Sequence, residues 1–132
     1  MATILVIDDD PMVRTIIARV LTFRGHRVLE AGSAEEGLAV CAAVGDTLDL
    51  LIAEPALPGV SEQRLADRAV HCCPNAKMLY VSAWPSEILG RHQGLLQPDT
   101  LLQKPFSAPK LVNAVETVLH SLKGKRTRTA GS

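Results

Sequence analysis

Apolar runs in this chain repeatedly stop at residues that can do chemistry. Ile4-Leu5-Val6-Ile7 ends at Asp8-Asp9-Asp10, and the run that starts at Leu48 ends with Leu50-Leu51-Ile52-Ala53 at Glu54. Met78-Leu79-Tyr80-Val81 ends at Ser82, and Thr100-Leu101-Leu102-Gln103 at Lys104-Pro105. Short apolar runs bounded by turn formers fit strands buried on both faces better than helices. If those strands are parallel neighbours, acids, a hydroxyl and a lysine converge at the C-terminal edge of one sheet, where open α/β sheets place their ligands. Asp8, Asp9 and Glu54 together suit Mg²⁺, which takes one or two carboxylates with water and phosphate oxygens. Lys104 is a compact point charge for a carboxylate or phosphate, and the Ser82 hydroxyl can donate to a phosphate oxygen. The expected site is therefore a phosphate-and-metal pocket centred on Glu54.

Acid runs are often no more than solvated helix caps, and Asp10-Pro11 reads that way: an N-cap acid followed by proline at the first helical position. Asp8 and Asp9 directly follow a buried strand, where acids are poorly placed for mere solubility. Cys41, Cys72 and Cys73 are odd in number, two are adjacent, and no zinc-like spacing is present. They read as small apolar fillers.

The elements that must hold the pocket follow in chain order. Val13, Ile16, Ile17, Val20 and Leu21 give the first helix one buried face, and Gly25 stops it. Arg27 to Ala31 reads as a more polar edge strand. Ser33 with Glu36 forms a capping box for a helix that buries Ala34, Leu38, Cys41 and Ala42. A proline-rich loop after Glu54 leads to a third helix, about 61 to 73, ended by Pro74. Residues 76–82 form the fourth strand. The segment 83–99, with Pro85, Gly90, Gly94 and Pro98, is the least regular, and any helix there is expected to be short and mobile. The last helix buries Leu111, Ala114, Val115, Val118, Leu119 and Leu122. Strands alternating with helices make right-handed parallel crossovers, so the expected fold is a doubly wound five-stranded parallel α/β sheet.

The chain has 132 residues, enough for one domain that buries about two-thirds of its unfolded surface. Residues 1–122 carry 10 Lys/Arg against 14 Asp/Glu, and the stretch Lys123-Gly124-Lys125-Arg126-Thr127-Arg128 returns the net charge to zero. A body with a negative balance argues against nucleic-acid binding. No run is long enough to span a bilayer and no signal pattern opens the chain, so a cytoplasmic location is expected.

These elements in this order resemble a receiver domain, the response-regulator module of two-component phosphorelays. The resemblance covers residues 3 to about 122 and rests on Ile4 to Pro11, on Asp49 to Glu54 with Leu57-Pro58-Gly59, on Val81-Ser82-Ala83, and on Lys104-Pro105-Phe106. It implies a receiver domain over residues 1–122 with a basic tail or linker over 123–132. It also implies a flavodoxin-like fold with strand order 2-1-3-4-5. Asp8 and Asp9 then match the Mg²⁺-binding acid pair, Asp9 directly and Asp8 mainly through water. The backbone carbonyl of Ala56 and the residue at position 54 complete the protein's share of the metal shell. Ser82 matches the hydroxyl that grips the phosphoryl group, Lys104 matches the lysine that pairs with the acceptor, and the Lys104-Pro105 peptide is expected to be cis.

Two positions depart from the family pattern. Glu54 stands where the phosphoacceptor aspartate is expected, and Leu101 stands where the aromatic switch residue is expected. An extra methylene carries a carboxylate about 1.5 Å further. Phosphoryl transfer depends almost wholly on positioning and charge neutralisation, so misplacement on that scale can cost on the order of 100-fold in rate. Leu101 has neither the bulk nor the polar tip of the usual ring and reads as a core leucine.

Three expectations follow. The first is a pseudo-receiver that works as a phosphorylation-independent protein-interaction module. The second is a receiver locked towards its active state, with Glu54 reaching Lys104 or Ser82 as a partial mimic of a phosphoryl group carrying about −2 charge. The third is a weak Mg²⁺-dependent phosphoacceptor using Glu54 itself. Enzymatic activity is not expected of this chain; any histidine kinase activity would lie outside it. The stretch Arg91 to Pro98 leading into Leu101 to Phe106 resembles receivers at the C-terminus of hybrid sensor histidine kinases, and His92 reads as an exposed loop residue rather than a phosphodonor. Expected partners are a sensor histidine kinase or another signalling protein, with a homodimer through the 83–122 face as a further association. Lys110 and Glu116 are candidate contacts on that face. No DNA-binding output domain is expected after residue 122, and a stand-alone regulator and a fragment of a hybrid kinase read alike.

Overall fold

The computed structural model describes residues 1–83 and 101–121. Its strands are β1 (Thr3–Ile7), β2 (Arg27–Ala31), β3 (Leu50–Ala53), β4 (Lys77–Ser82) and β5 (Leu101–Gln103), all parallel, in the order β2-β1-β3-β4-β5. The helices are α1 (Pro11–Phe23), α2 (Ala34–Val44), α3 (Glu62–Cys72) and α4 (Ala108–Leu119). This is the doubly wound parallel α/β sheet expected from the alternation of strands and helices, in the flavodoxin-like order that the receiver resemblance implies. The irregular segment expected over 83–99, including His92, lies outside the described residues from position 84 onward. So do Leu122 and the basic tail.

The sheet's alternation builds two cores. Leu5, Ile7, Leu51, Ala53 and Tyr80 pack on one face against Cys41, Leu65 and Ala69 of α2 and α3. Ile4, Val6, Leu50, Ile52, Leu79 and Val81 pack on the other against Ile17, Leu21, Leu111, Val115 and Val118 of α1 and α4. All four residues of β3 are buried, which is why its sequence is a continuous apolar run rather than an alternating one.

Local chemistry sets the helix ends. Asp10 caps α1, its Oδ1 accepting from the Met12 amide at 2.9 Å, with Pro11 at the first helical position. Gly25 adopts φ 94° just after the helix, a left-handed conformation that glycine reaches without a Cβ penalty. Ser33, Ser61 and Ser107 cap α2, α3 and α4. The capping box at Ser33 differs from expectation in one bond. Glu36 Oε1 accepts from the Gly32 amide at 2.7 Å rather than from Ser33's own.

Some expected burial is corrected. Ile16 is 48% exposed and Ala42 is exposed, whereas Ala18 and Gly37 are buried in their helices instead. Val13, Val20, Leu38, Ala114 and Leu119 are partly buried at the margins of the cores. Periodicity locates a helix's apolar stripe but not how much of its width the neighbouring elements cover.

Candidate functional site

The parallel register brings the strand ends together. Asp8 follows β1, Glu54 follows β3, Ser82 closes β4 and Lys104 follows β5. Backbone bonds hold this edge: the Asp8 amide donates to Ala31 O at 3.2 Å, the Glu54 amide to Ile7 O at 3.0 Å and the Lys104 amide to Ser82 O at 2.8 Å. The Lys104–Pro105 peptide is cis, as expected.

Lys104 is the hub. Its Nζ lies 2.6 Å from Glu54 Oε1 and 3.1 Å from Asp8 Oδ2. The other Glu54 oxygen, Oε2, accepts from the Ala56 amide at 3.0 Å. Both oxygens of Glu54 are thus held by donors from the protein. Asp8 is 2% exposed; its Oδ1 accepts from the Asp10 amide at 2.9 Å. Asp8 Oδ2 is sealed from solvent, accepts no well-aligned hydrogen bond and faces Lys104 as an ion pair.

Burial is the largest single influence on both Asp8 and Lys104 but prevails only at Asp8. It pushes the Asp8 carboxyl above its ordinary 3.8, against the Asp10 amide and the Lys104 ammonium, which favour the charged form. Burial alone would lower Lys104, but its hydrogen bonds to Glu54 and then Asp8 outweigh it and hold the ammonium above its ordinary 10.5.

Other expected site residues sit around this hub. Asp9 is exposed beside Asp8, and Ala56 is exposed beside Glu54. Ser82 is 3% exposed at the end of β4. Leu101 stands opposite Tyr80 in the β4–β5 register and packs partly buried against the α2–α3 core, as a core leucine would. The oxygens of Asp8, Asp9, Glu54 and the Ala56 carbonyl are hard donors of the kind Mg²⁺ takes, and Asp8 Oδ2, which accepts no well-aligned hydrogen bond, has capacity left for a cation. In donor chemistry, then, the residues fit the ion. Among the described residues, however, no group of three or more His, Cys, Asp or Glu side chains is gathered closely enough to hold a metal. Lys104 supplies the positive charge between the buried Asp8 and the half-buried Glu54.

Sequence reasoning missed Arg14. From α1 its Nη1 donates to Asp8 O at 2.7 Å, while its Nε lies 3.4 Å from Glu30 Oε1 on β2. Nothing in the local pattern marks this arginine; its role appears only when α1 is laid beside the β1 and β2 ends. Glu116, expected as an exposed contact, instead lies near two histidines, 3.1 Å from His120 and 3.7 Å from His26. Lys110 is exposed as expected.

No helix among the described residues is long and apolar enough to cross a membrane. The chain is 28% identical to the sensor kinase CckA of Brucella abortus (strain 2308) over 118 residues, covering 89% of this chain and 12% of that protein. It is 26% identical to the response regulator receiver protein CpdR of the same strain, covering 90% of this chain and 98% of that one. The crystal structure of the receiver domain from the hybrid histidine kinase CckA superposes with a TM-score of 0.74 at 30% identity, covering 90% of this chain and all of that one. The chain spans half or less of the length of several curated relatives that it matches. A family model described as the response regulator receiver domain matches residues 4–116. With that match spanning all five strand ends and every residue of the pocket, the chain belongs to the response regulator receiver domain family.

Proposed function

We propose that this receiver of two-component signalling works as a pseudo-receiver, engaging its partner by a contact that does not depend on phosphorylation. The observation that carries this reading is the state of Glu54 at the phosphoacceptor position. Its Oε1 is 2.6 Å from the Lys104 ammonium and its Oε2 accepts from the Ala56 amide, so a nucleophilic oxygen would first have to break a charge-assisted hydrogen bond. The longer side chain also places the carboxylate about 1.5 Å beyond where an aspartate would hold it.

Asp8, Asp9 and the Ala56 carbonyl would hold Mg²⁺ at this edge, where the ion, when bound, neutralises charge on a phosphoryl oxygen. Asp8 and Lys104 then orient the pocket, and Ser82 is the hydroxyl for a phosphoryl oxygen. The affinity for the ion is expected to be modest, because Lys104 already compensates the carboxylates of Asp8 and Glu54. The partner is a sensor histidine kinase or another signalling protein, met in the cytoplasm. The 83–122 face is its docking surface or that of a second copy.

A second reading has its own observation. Glu54 does reach Lys104, the contact expected if it partly mimics a phosphorylated acceptor and holds the receiver towards its active state. Two-dimensional amide spectra separate the two. Glu54→Asp is recorded before and after acetyl phosphate with Mg²⁺ and compared with wild type. A wild-type spectrum matching the unmodified variant supports the phosphorylation-independent module. One matching the modified variant supports the locked state. A wild-type spectrum that itself shifts on adding the donor contradicts both and leaves Glu54 as a working acceptor.

A further inference from the structure

We propose that Arg14 is a positioning residue for the Asp8–Asp10 loop, setting the carboxylates of Asp8 and Asp9 from behind through the Asp8 backbone carbonyl. The inference rests on the reading of that loop as the cation-holding edge. The loop is pinned at three points: the Asp8 amide on Ala31 O, the Asp10 amide on Asp8 Oδ1, and the Asp8 carbonyl on Arg14 Nη1 at 2.7 Å. The first is a backbone bond across the β1–β2 edge and the second lies within the loop itself. The third is supplied by a side chain from α1 and depends on where its guanidinium is aimed.

Two neighbours fix that aim. Glu30 on β2 holds Arg14 Nε at 3.4 Å, so the planar fork reaches the Asp8 carbonyl with one arm while its base is paired. Gly32 leaves the space the fork needs, because a Cβ there would stand 3.2 Å from Arg14 Nη1 and 3.6 Å from Glu36 Oε1. Glu36 in turn holds the Gly32 amide. The acid-bearing loop after β1 is thereby tied to the end of β2 through Arg14. Asp9 sits between two pinned residues, so its exposed carboxylate inherits its direction from them. Second contacts of this kind typically change metal affinity by roughly 10- to 100-fold when removed.

The test uses Mn²⁺ as the probe, read by electron paramagnetic resonance, together with amide hydrogen exchange in the metal-free protein. Arg14→Gln is expected to weaken Mn²⁺ binding roughly tenfold and to speed exchange of the Asp10 amide, with the Val6 amide of β1 unchanged as the control for global unfolding. Arg14→Lys, which reaches the carbonyl but cannot also pair with Glu30, is expected to recover part of the affinity. Gly32→Ala, which leaves the arginine in place but crowds it, is expected to fall between wild type and Arg14→Gln. Unchanged Mn²⁺ affinity in Arg14→Gln, where wild type binds, overturns the proposal. If wild type binds no Mn²⁺, the cation-holding reading fails by itself. The Asp10 amide then decides the role of Arg14: faster exchange with Val6 unchanged supports it, and unchanged exchange overturns it.

Discussion

Lys104 touches both the buried Asp8 and the half-buried Glu54, and its removal should be felt at each. Lys104→Met leaves Asp8 as a buried carboxylate without its cation, an arrangement that costs about 3 kcal/mol when not otherwise relieved. Adding Asp8→Asn to that variant should recover part of the loss, a coupling measurable by urea unfolding of the four proteins in a double-mutant cycle. The pH dependence follows from the same pair. Lys104 is held above its ordinary 10.5, so the stability that it contributes is whole below that value and is lost as pH rises through the higher folded one. The stability gap between wild type and Lys104→Met should therefore narrow in alkaline solution above that ordinary value; a constant gap would show that the ion pair is not its source. Asp8 has the opposite character. Its carboxyl is raised above 3.8 by burial, so stability falls as pH rises from there through its folded value. Most of these residues were legible from the ends of apolar runs, since a charged group directly after a buried strand has few uses other than a ligand. Arg14 was not legible, because its partners lie on β1 and β2 and no spacing within α1 records them.

At the scale of elements, the strands were easier to read than the helix faces. β2 runs from Arg27 to Ala31, the range expected from sequence, and β3 falls inside the apolar run that ends at Glu54. Helix burial depends on how closely each helix approaches the sheet, which the chain does not spell out. Gly37 is the sharpest instance. A Cβ there would stand 2.2 Å from Ile7 Cδ1 and 2.6 Å from Ile7 Cγ1, so α2 approaches β1 through a gap that only hydrogen fits. Periodicity assigns this face to Ala34, Leu38, Cys41 and Ala42 and gives a glycine no weight, so the closest approach falls on a residue that carries no apolar signal. Gly37→Ala should destabilise the fold by about 1–3 kcal/mol through overpacking, despite alanine's better helix propensity. Denaturant unfolding gives the measurement, and a gain in stability would show that α2 can shift outward without loss. The exposed Ile16 and Phe23 on α1 make the converse point, since large apolar side chains on a helix need not face the core.

For the whole molecule, the sheet is shared by both cores, with β1 and β3 contributing buried side chains to each. Neither core can form without ordering the sheet the other needs, so unfolding should be a single cooperative transition. Equal calorimetric and van't Hoff enthalpies would bear this out, and two separated transitions would contradict it. The same arrangement explains why fold and pocket could be read together: parallel strands that share a sheet necessarily gather their C-terminal ends, and with them Asp8, Glu54, Ser82 and Lys104. What the alternation of elements could not convey was how far Glu54 is committed to Lys104 and Ala56, because that depends on side-chain reach across strands. That commitment is the centre of the account, and intact mass after incubation with acetyl phosphate and Mg²⁺ tests it most directly, with wild type beside Glu54→Asp. The account predicts no added phosphoryl group on wild type and a phosphoryl group gained by Glu54→Asp. A wild-type protein phosphorylated at Glu54 would contradict it.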